Sequence, residues 1–476
     1  MEEPLYSLSM VIFAFFAAAL LVMCGTALRN FIPFLERTHM PAAVIGGLVG
    51  LVLGPQVLGE AVLAGTPQYD AQYELYAMWK QLPGYLISVV FAALMMGKAL
   101  PSGKAIWKES SPHLVVGYTV AWGQYVVGAA LALFVLIPMF DGNGLNAAMI
   151  AIGFQGGYGT AAGLGDTYDK LGFYDGYDIA LGMATAGKVA AILVGLGLVN
   201  IAVGKQKMKS PQEQKIEDTE SRVPARVAKE QFKQQRQEQY FSADSLVLHC
   251  AVLCLAIGMG YCLREFFTLV ESMLVANPEE NGIMQYIPLF PMALLGGVGL
   301  QFIISRTRFS EHLNAHHIHS ISHSFLDLLI VVAIATLSLK TLAANWHILL
   351  LLIGAGVGWN LIVFFFIGPR LYHDEAWTRG VGDFAHATGA TTTGLLLMKV
   401  IDPNDTTGAR SSFNMKQTFY EPIVGGGFLT ALALPLMHSI GLMNTMILFG
   451  GLLIFTLIFG MRSIKRQRKA MKNAKG

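Results

Sequence analysis

Charge is scarce in this chain. Only 13% of its 476 residues are Asp, Glu, Lys or Arg, about half the share of an average soluble domain. A fully hydrated surface is thereby excluded, and a mean hydropathy of +0.51 indicates a polytopic membrane protein. The formal net charge is only +2, and no nucleic-acid partner is expected. Cysteine is scarce too. Cys24, Cys250, Cys254 and Cys262 all fall in apolar segments. Cys250 and Cys254 could touch on one helix face, but buried thiols are the reading, not a disulfide or a metal site. Catalytic motifs are missing. There is no G-x-x-x-x-G-K-[ST], which disfavours ATP-driven transport within this chain. There is no H-E-x-x-H and no Ser, His and Asp arrangement of a protease. The expectation is no enzyme, no cofactor and no metal. The first apolar run follows Met1-Glu-Glu without a basic n-region and reads as a first membrane helix, not a signal peptide.

What the chain has is long apolar runs. A helix needs about 20 apolar residues to cross the hydrocarbon. Candidate spans are 9–28, 41–57, 84–101, 113–138, 178–203, 244–270, 287–305, 321–343, 346–369, 419–438 and 443–462. With the N-terminus outside, the inside loops hold Arg29 and Arg37; Lys98, Lys104 and Lys108; Lys205 to Arg236; Arg306 and Arg308; Arg370 and Arg379; Arg410 and Lys416; and the tail 462–469. The outside loops keep Lys80 and Lys340 and carry Glu60, Asp70, Glu74, Asp141, Glu271, Glu279 and Glu280. This satisfies the positive-inside rule and predicts a plasma (inner) membrane protein with its central linker and C-terminus cytoplasmic.

Two stretches interrupt the pattern. Gly153-Phe-Gln-Gly-Gly-Tyr-Gly-Thr-Ala-Ala-Gly-Leu-Gly165 is too glycine-rich for a good helix, since each glycine costs about 1 kcal/mol against alanine. Ala385-His-Ala-Thr-Gly-Ala-Thr-Thr-Thr-Gly394 lies in the corresponding place of the second half. They are read as re-entrant hairpins or broken helices over 145–168 and 381–401. Such backbone is tolerated at membrane depth only where protein buries it or it lines a wet cavity.

The halves correspond elsewhere. Pro41-Ala-Ala-Val-Ile-Gly-Gly47 matches Pro291-Met-Ala-Leu-Leu-Gly-Gly297, a shared P-x-A-x-x-G-G. The expected architecture is all-α. Two inverted-topology repeats (1–203 and 244–442), each of five spans and one hairpin, flank a cytoplasmic linker at 204–243. An extra helix and basic tail follow at 443–476. Five crossings per half make the second half enter from the opposite side, so the hairpin tips could meet near the midplane.

The candidate substrate residues are Gln155, Gly156, Gly157, Tyr158, Gly159 and Thr160 in the first hairpin and Thr388, Gly389, Ala390 and Thr391 in the second. Glycines let backbone approach a ligand, and a half-helix starting at Thr160 would favour a carboxylate. Thr392 and Thr393, with freed carbonyls, offer hard oxygen donors for sodium. The bland alternatives are close helix packing and threonines back-bonded to their own helix. Asp383 and His386 lie at the second hairpin's entrance, as gate or site residues or as a solvated mouth. Lys188, in the helix after the first hairpin, could replace sodium, carry a coupled proton or attract a substrate carboxylate; the alternative is a structural lysine. Lys399 and Glu421 read as snorkelling or paired near the inner face, and Asp327 as structural. His312, His316, His317, His319 and His323 contain i,i+4 pairs. That is metal-ligand spacing, but Glu311 is the one nearby acid, and a pH-sensing role is the other option.

The chain resembles the glutamate:sodium symporter family. The similar pieces are Ile32-Pro33 and Met40-Pro-Ala-Ala-Val-Ile-Gly-Gly47, Gly153-Phe-Gln-Gly-Gly-Tyr-Gly-Thr-Ala-Ala162, Leu337-Ser-Leu-Lys340, Gly389-Ala-Thr-Thr-Thr393 and Pro422-Ile-Val-Gly425. They occur in the family's order up to about residue 440. The related 2-hydroxycarboxylate carriers are the nearest rival. The resemblance implies a homodimer of protomers with a scaffold part and a mobile transport part, binding sodium and a small carboxylate near the hairpin tips. Departures fall at Tyr158, often His in such carriers, at Thr392, usually Pro, at Thr430, where an acid is expected, and at Lys188, usually small and uncharged. The expected function is symport of glutamate or a similar carboxylate with a cation, sodium or proton. A channel would instead conduct ions without coupled flux, and a receptor would bind solute without accumulating it.

Overall fold

The computed structural model describes residues 7–37, 40–97, 103–204, 243–372, 375–402 and 405–473. The expected linker at 204–243 lies almost wholly outside the described residues. Helix dominates the described residues, and no strand occurs among them. Nine of their helical stretches are long and apolar enough to cross a membrane, which agrees with a multi-pass membrane protein.

Two of the eleven expected spans are not among those nine. The 287–305 span is the 16-residue helix Leu289–Ile304. The 84–101 span is the end of a longer helix, Pro67–Ala93, whose first half carries Asp70, Glu74 and Lys80. Two other expected spans are interrupted. Helix Ala315–Ala335 stops before 343, and a separate helix Leu339–Ala344 starts where the Ser338 hydroxyl accepts from Thr341 N–H at 3.1 Å. The 419–438 span is two helices, Ala409–Ile423 and Phe428–Ile440, parted at Gly425-Gly426-Gly427 with Gly426 at φ +94°.

The repeated P-x-A-x-x-G-G motif makes the same two contacts in each half. Its first glycine brings two backbones together. A Cβ on Gly46 would lie 2.3 Å from the Leu21 carbonyl oxygen in helix Leu8–Phe31, and one on Gly296 would lie 2.2 Å from the Ala256 carbonyl oxygen in helix Ala243–Leu274. Its second glycine faces the other half. A Cβ on Gly47 would lie 2.7 Å from Ile334 Cβ, and one on Gly297 would lie 2.3 Å from the Ala92 carbonyl oxygen. Helices 42–53, 67–93, 289–304 and 315–335 are thereby interlocked. Small residues permit this approach, which gives membrane helices the packing that lipid alone does not drive.

The next helix of each half has a shared irregularity. Gly103–Leu131 passes into a π-helical turn at Ala132–Leu136, and Trp346–Ile362 into one at Val363–Ile367. Each precedes one of the two glycine-rich stretches. Gln124 and Asn360, on these two helices, are buried amides in apolar surroundings.

Gly46→Leu and Gly296→Leu should each destabilise the protein by about 1–3 kcal/mol through overpacking, read as a lower thermal midpoint in detergent. Gly258→Ala, at a glycine with nothing within 4 Å of its added Cβ, should not lower the midpoint. Equal effects at all three positions would contradict the packing role.

Candidate functional site

The first glycine stretch breaks where its composition demands. Helix Met149–Phe154 ends at Gln155, Gly157 takes φ +62°, and a short helix Gly157–Gly163 follows. A left-handed residue is sterically open to glycine and stops the ladder of helical hydrogen bonds. The short helix begins at Gly157, not at Thr160. Thr160 instead donates its hydroxyl to the Gly426 carbonyl at 2.9 Å, tying this break to the triple-glycine turn at 425–427.

The second stretch sits within helix Ala376–Ile401, whose backbone leaves helical geometry at Gly389 (φ −136°, ψ 24°) and Ala390 (φ 73°, ψ 169°). Such a conformation is almost confined to glycine and costs about 1–3 kcal/mol for a residue with a Cβ. The two breaks abut. A Cβ on Gly157 would lie 3.3 Å from the Ala390 Cβ. Around this meeting point is a cavity of about 270 Å³. Gln155, Gly156, Gly157, Tyr158, Gly159 and Thr160 line it from one side, and Gly389, Ala390, Thr391 and Thr392 from the other. Lys188 lines it as well, together with apolar side chains such as Ile87, Phe91 and Ile330.

Interrupting the second helix frees backbone carbonyls, and a buried chain of amides accepts the task of pairing them. Gln124 Nε2 donates to the Ala387 carbonyl at 2.8 Å and to Asn360 Oδ1 at 3.1 Å. Asn360 Nδ2 donates to the same carbonyl at 3.1 Å and to the Thr388 hydroxyl at 3.0 Å. Gln155 Nε2 donates to Gln124 Oε1 at 2.8 Å, and its own Oε1 accepts from the Tyr420 hydroxyl. One polar network thus joins both breaks. Unpaired, such groups would each cost several kcal/mol at membrane depth.

Three expected site residues face elsewhere. The Thr388 hydroxyl donates to the Phe384 carbonyl at 2.8 Å, and the Thr393 hydroxyl to the Gly389 carbonyl. Both are buried off the cavity. Asp383 is not at a solvated entrance. It is 3% exposed, with Oδ1 accepting from Lys416 Nζ at 2.9 Å and Oδ2 facing His113 Nδ1 at 2.7 Å and the Tyr372 hydroxyl. Lys416 was expected in an inside loop, yet it is fully buried, lying over the Phe413 and Tyr420 rings. His386 Nδ1 is 3.2 Å from its ammonium. Arg379 Nη1 lies 3.2 Å from His113 Nε2 and donates to the Ser412 hydroxyl at 3.0 Å. This cluster fastens the first arm of the second break to helix 409–423.

Three ionisable cavity residues were not foreseen. Asp327 and Glu421 line it, as does His323. Glu421 Oε1 accepts from the Thr391 hydroxyl at 3.3 Å, and Gln417 Nε2 donates to the same hydroxyl. An acid inside an apolar stretch is the signal that could have found Asp327 and Glu421; Lys399 is exposed and off the cavity. The amides Gln124 and Asn360 carry a fainter signal, each polar in an apolar run and one or two residues from a tryptophan (Trp122, Trp359). The histidines separate. His317 Nδ1 lies 2.9 Å from the Ser245 hydroxyl, beside His249, while His323 opens on the cavity. No group of three or more His, Cys, Asp or Glu that could hold a metal ion occurs among the described residues.

A family model described as sodium/glutamate symporter matches residues 8–404. The match includes both breaks and ends before helix 409–423. No curated protein matches the chain.

Lys416→Met should leave the Asp383 carboxylate buried without its strongest partner and destabilise the protein by about 3–5 kcal/mol. Asp383→Asn combined with Lys416→Met should restore most of that loss. Thermal unfolding in detergent distinguishes the two outcomes; a double variant as unstable as the single one would contradict the pairing.

Proposed function

The chain belongs to the sodium/glutamate symporter family, sodium-coupled membrane transporters, and from that premise we propose that it carries glutamate or a similar small carboxylate together with sodium by alternating access. The observation that carries this reading is the meeting of two backbone breaks, one from each half, across one cavity with Gly157 and Ala390 in contact. Two such breaks in corresponding positions are the feature expected of a carrier's binding site.

In the proposed arrangement the halves are inverted repeats, 1–203 and 244–442. Support comes from the P-x-A-x-x-G-G contacts and from the π-helical turn that precedes each break. The N-terminus lies outside, and the linker and C-terminus lie inside, a plasma (inner) membrane. The protein works as a homodimer. The interlocked helices around Gly46 and Gly296 form the scaffold, and the two breaks form part of the moving unit.

Within the cavity, the substrate carboxylate meets backbone N–H groups at Gly157 and Tyr158 and at Thr391, where the helix resumes after Ala390. Helix N-terminal amides favour an anion. Sodium is held by oxygen donors beside it: freed carbonyls, the Thr391 and Thr392 hydroxyls and the Glu421 carboxylate. Thr388, Thr393 and Asp383 position these groups and do not touch the ligands. Bringing cation and anion together neutralises charge that would be expensive to occlude in a low-dielectric site. This is the physical reason for coupling.

Purified protein in proteoliposomes should accumulate glutamate or a close analogue under an imposed sodium gradient. Uptake driven by protons alone, or conductance without coupled flux, would overturn the reading. Gly157→Leu should abolish uptake, because a side chain there meets Ala390 and φ is +62°, while the protein still elutes as a folded species. Ala390→Gly should keep uptake and raise the thermal midpoint, since it relieves about 1–3 kcal/mol of backbone strain. Normal transport by Gly157→Leu would remove the cavity from the mechanism.

A further inference from the structure

Lys188 is placed where its chemistry is incomplete. It sits on helix Gly176–Gly204, and its backbone touches the second break: a Cβ on Gly389 would lie 3.1 Å from Lys188 Cα. Its side chain crosses to the first break, with Nζ 5.2 Å from the centroid of the Tyr158 ring. The residue therefore bridges both breaks, with its ammonium at the first. It carries three donors and no acceptor. Among the described residues its interactions are the Tyr158 ring and a through-space attraction to Asp327, with no hydrogen bond or salt bridge formed. A ring face satisfies a cation only partly. A lysine at membrane depth normally pairs or snorkels, and Lys188 does neither.

Resting on the transporter reading above, we infer that Lys188 is the fixed countercharge for the side-chain carboxylate of the bound substrate, the α-carboxylate being left to the backbone N–H groups, and that it selects an acidic amino acid over its neutral amide. The remaining charges of the cavity fit such a ligand. Asp327 lines the same space and suits the substrate's ammonium, while Glu421 is left to sodium. A neutral side chain would leave the Lys188 ammonium without a hydrogen-bonded anion in a largely apolar enclosure. That asymmetry, more than any gain from a new contact, makes charge-reading sites selective. His323 also lines the cavity, but it is exposed and sits on the Asp327 helix, one turn away.

The test compares binding of glutamate and glutamine to detergent-purified full-length protein in saturating sodium, by calorimetry, for wild type, K188M, K188R and D327N. Wild type should bind glutamate more tightly than glutamine. K188M should weaken glutamate roughly ten- to hundredfold, the value of a charge-assisted hydrogen bond, and change glutamine less than threefold. K188R should retain part of the preference. D327N should keep the preference, because Asp327 is not the group that receives the carboxylate. If K188M weakens both ligands equally or neither, or if D327N erases the preference as K188M does, the Lys188 assignment is overturned while sodium-driven uptake by wild type still supports the transporter reading. Wild-type protein that binds neither an amino acid nor a carboxylate overturns both. A thermal midpoint for each variant separates misfolding from lost recognition; should K188M not fold, the K188R preference decides, and its complete loss would overturn the assignment.

Discussion

Interrupting a helix inside a membrane releases peptide groups that water cannot reach, and the rest of this structure is arranged around that constraint. The break at Gly389 and Ala390 frees the Ala387 carbonyl, which Gln124 and Asn360 both satisfy. Those amides come from the two helices that lead into the two breaks. Gln155 completes the chain and is itself the last residue before the first break. Pairing the freed groups and registering the two halves are therefore one act. An amide lost from this network would orphan groups in both halves at once, and buried polar networks are effective only when complete.

The second arm of support is ionic. Asp383 and Lys416 are buried together with His113, Tyr372 and His386, none of which lines the cavity. Desolvation makes such a pair a poor source of net stability. Its geometry instead fixes which face helix 409–423 presents. That helix brings Gln417 and Glu421 to Thr391 and Tyr420 to Gln155. The charge cluster sets the position of the cavity wall without itself lining the cavity.

Much of this was legible in the residues. The two glycine-rich stretches, their equivalence and the P-x-A-x-x-G-G repeat all depend on local composition, and composition shows where backbone must approach backbone. Most of the expected substrate positions line the cavity because they are consecutive in the chain with the breaks. The failures share a cause. Lys416 was counted as a loop charge because the positive-inside rule reads position along the chain and is blind to a carboxylate 33 residues away. Asp327 and Glu421 reach the cavity only through tertiary packing of helices remote in sequence. The residue type of Thr388 and Thr393 fits a ligand, whereas each hydroxyl is committed within its own helix. The triple glycine at 425–427 lies inside the expected 419–438 span, whose apolar residues follow it rather than precede it.

The π-helical turns at Ala132–Leu136 and Val363–Ile367 carry a consequence for how such a chain can change over time. A π turn holds one residue more than the α-helix it interrupts, and one residue is about 100° of azimuth at 3.6 residues per turn. Each turn thus sets the rotational phase between a buried amide upstream and the last turn of its own run, Ile137–Phe140 or Gly368–Leu371. A single-codon deletion there would leave hydropathy and length almost unchanged, yet it would swing Gln124 or Asn360 away from the groups it pairs. Substitutions in these turns are far gentler than gains or losses of one residue. The two halves are therefore free to drift in side-chain identity while remaining locked in count.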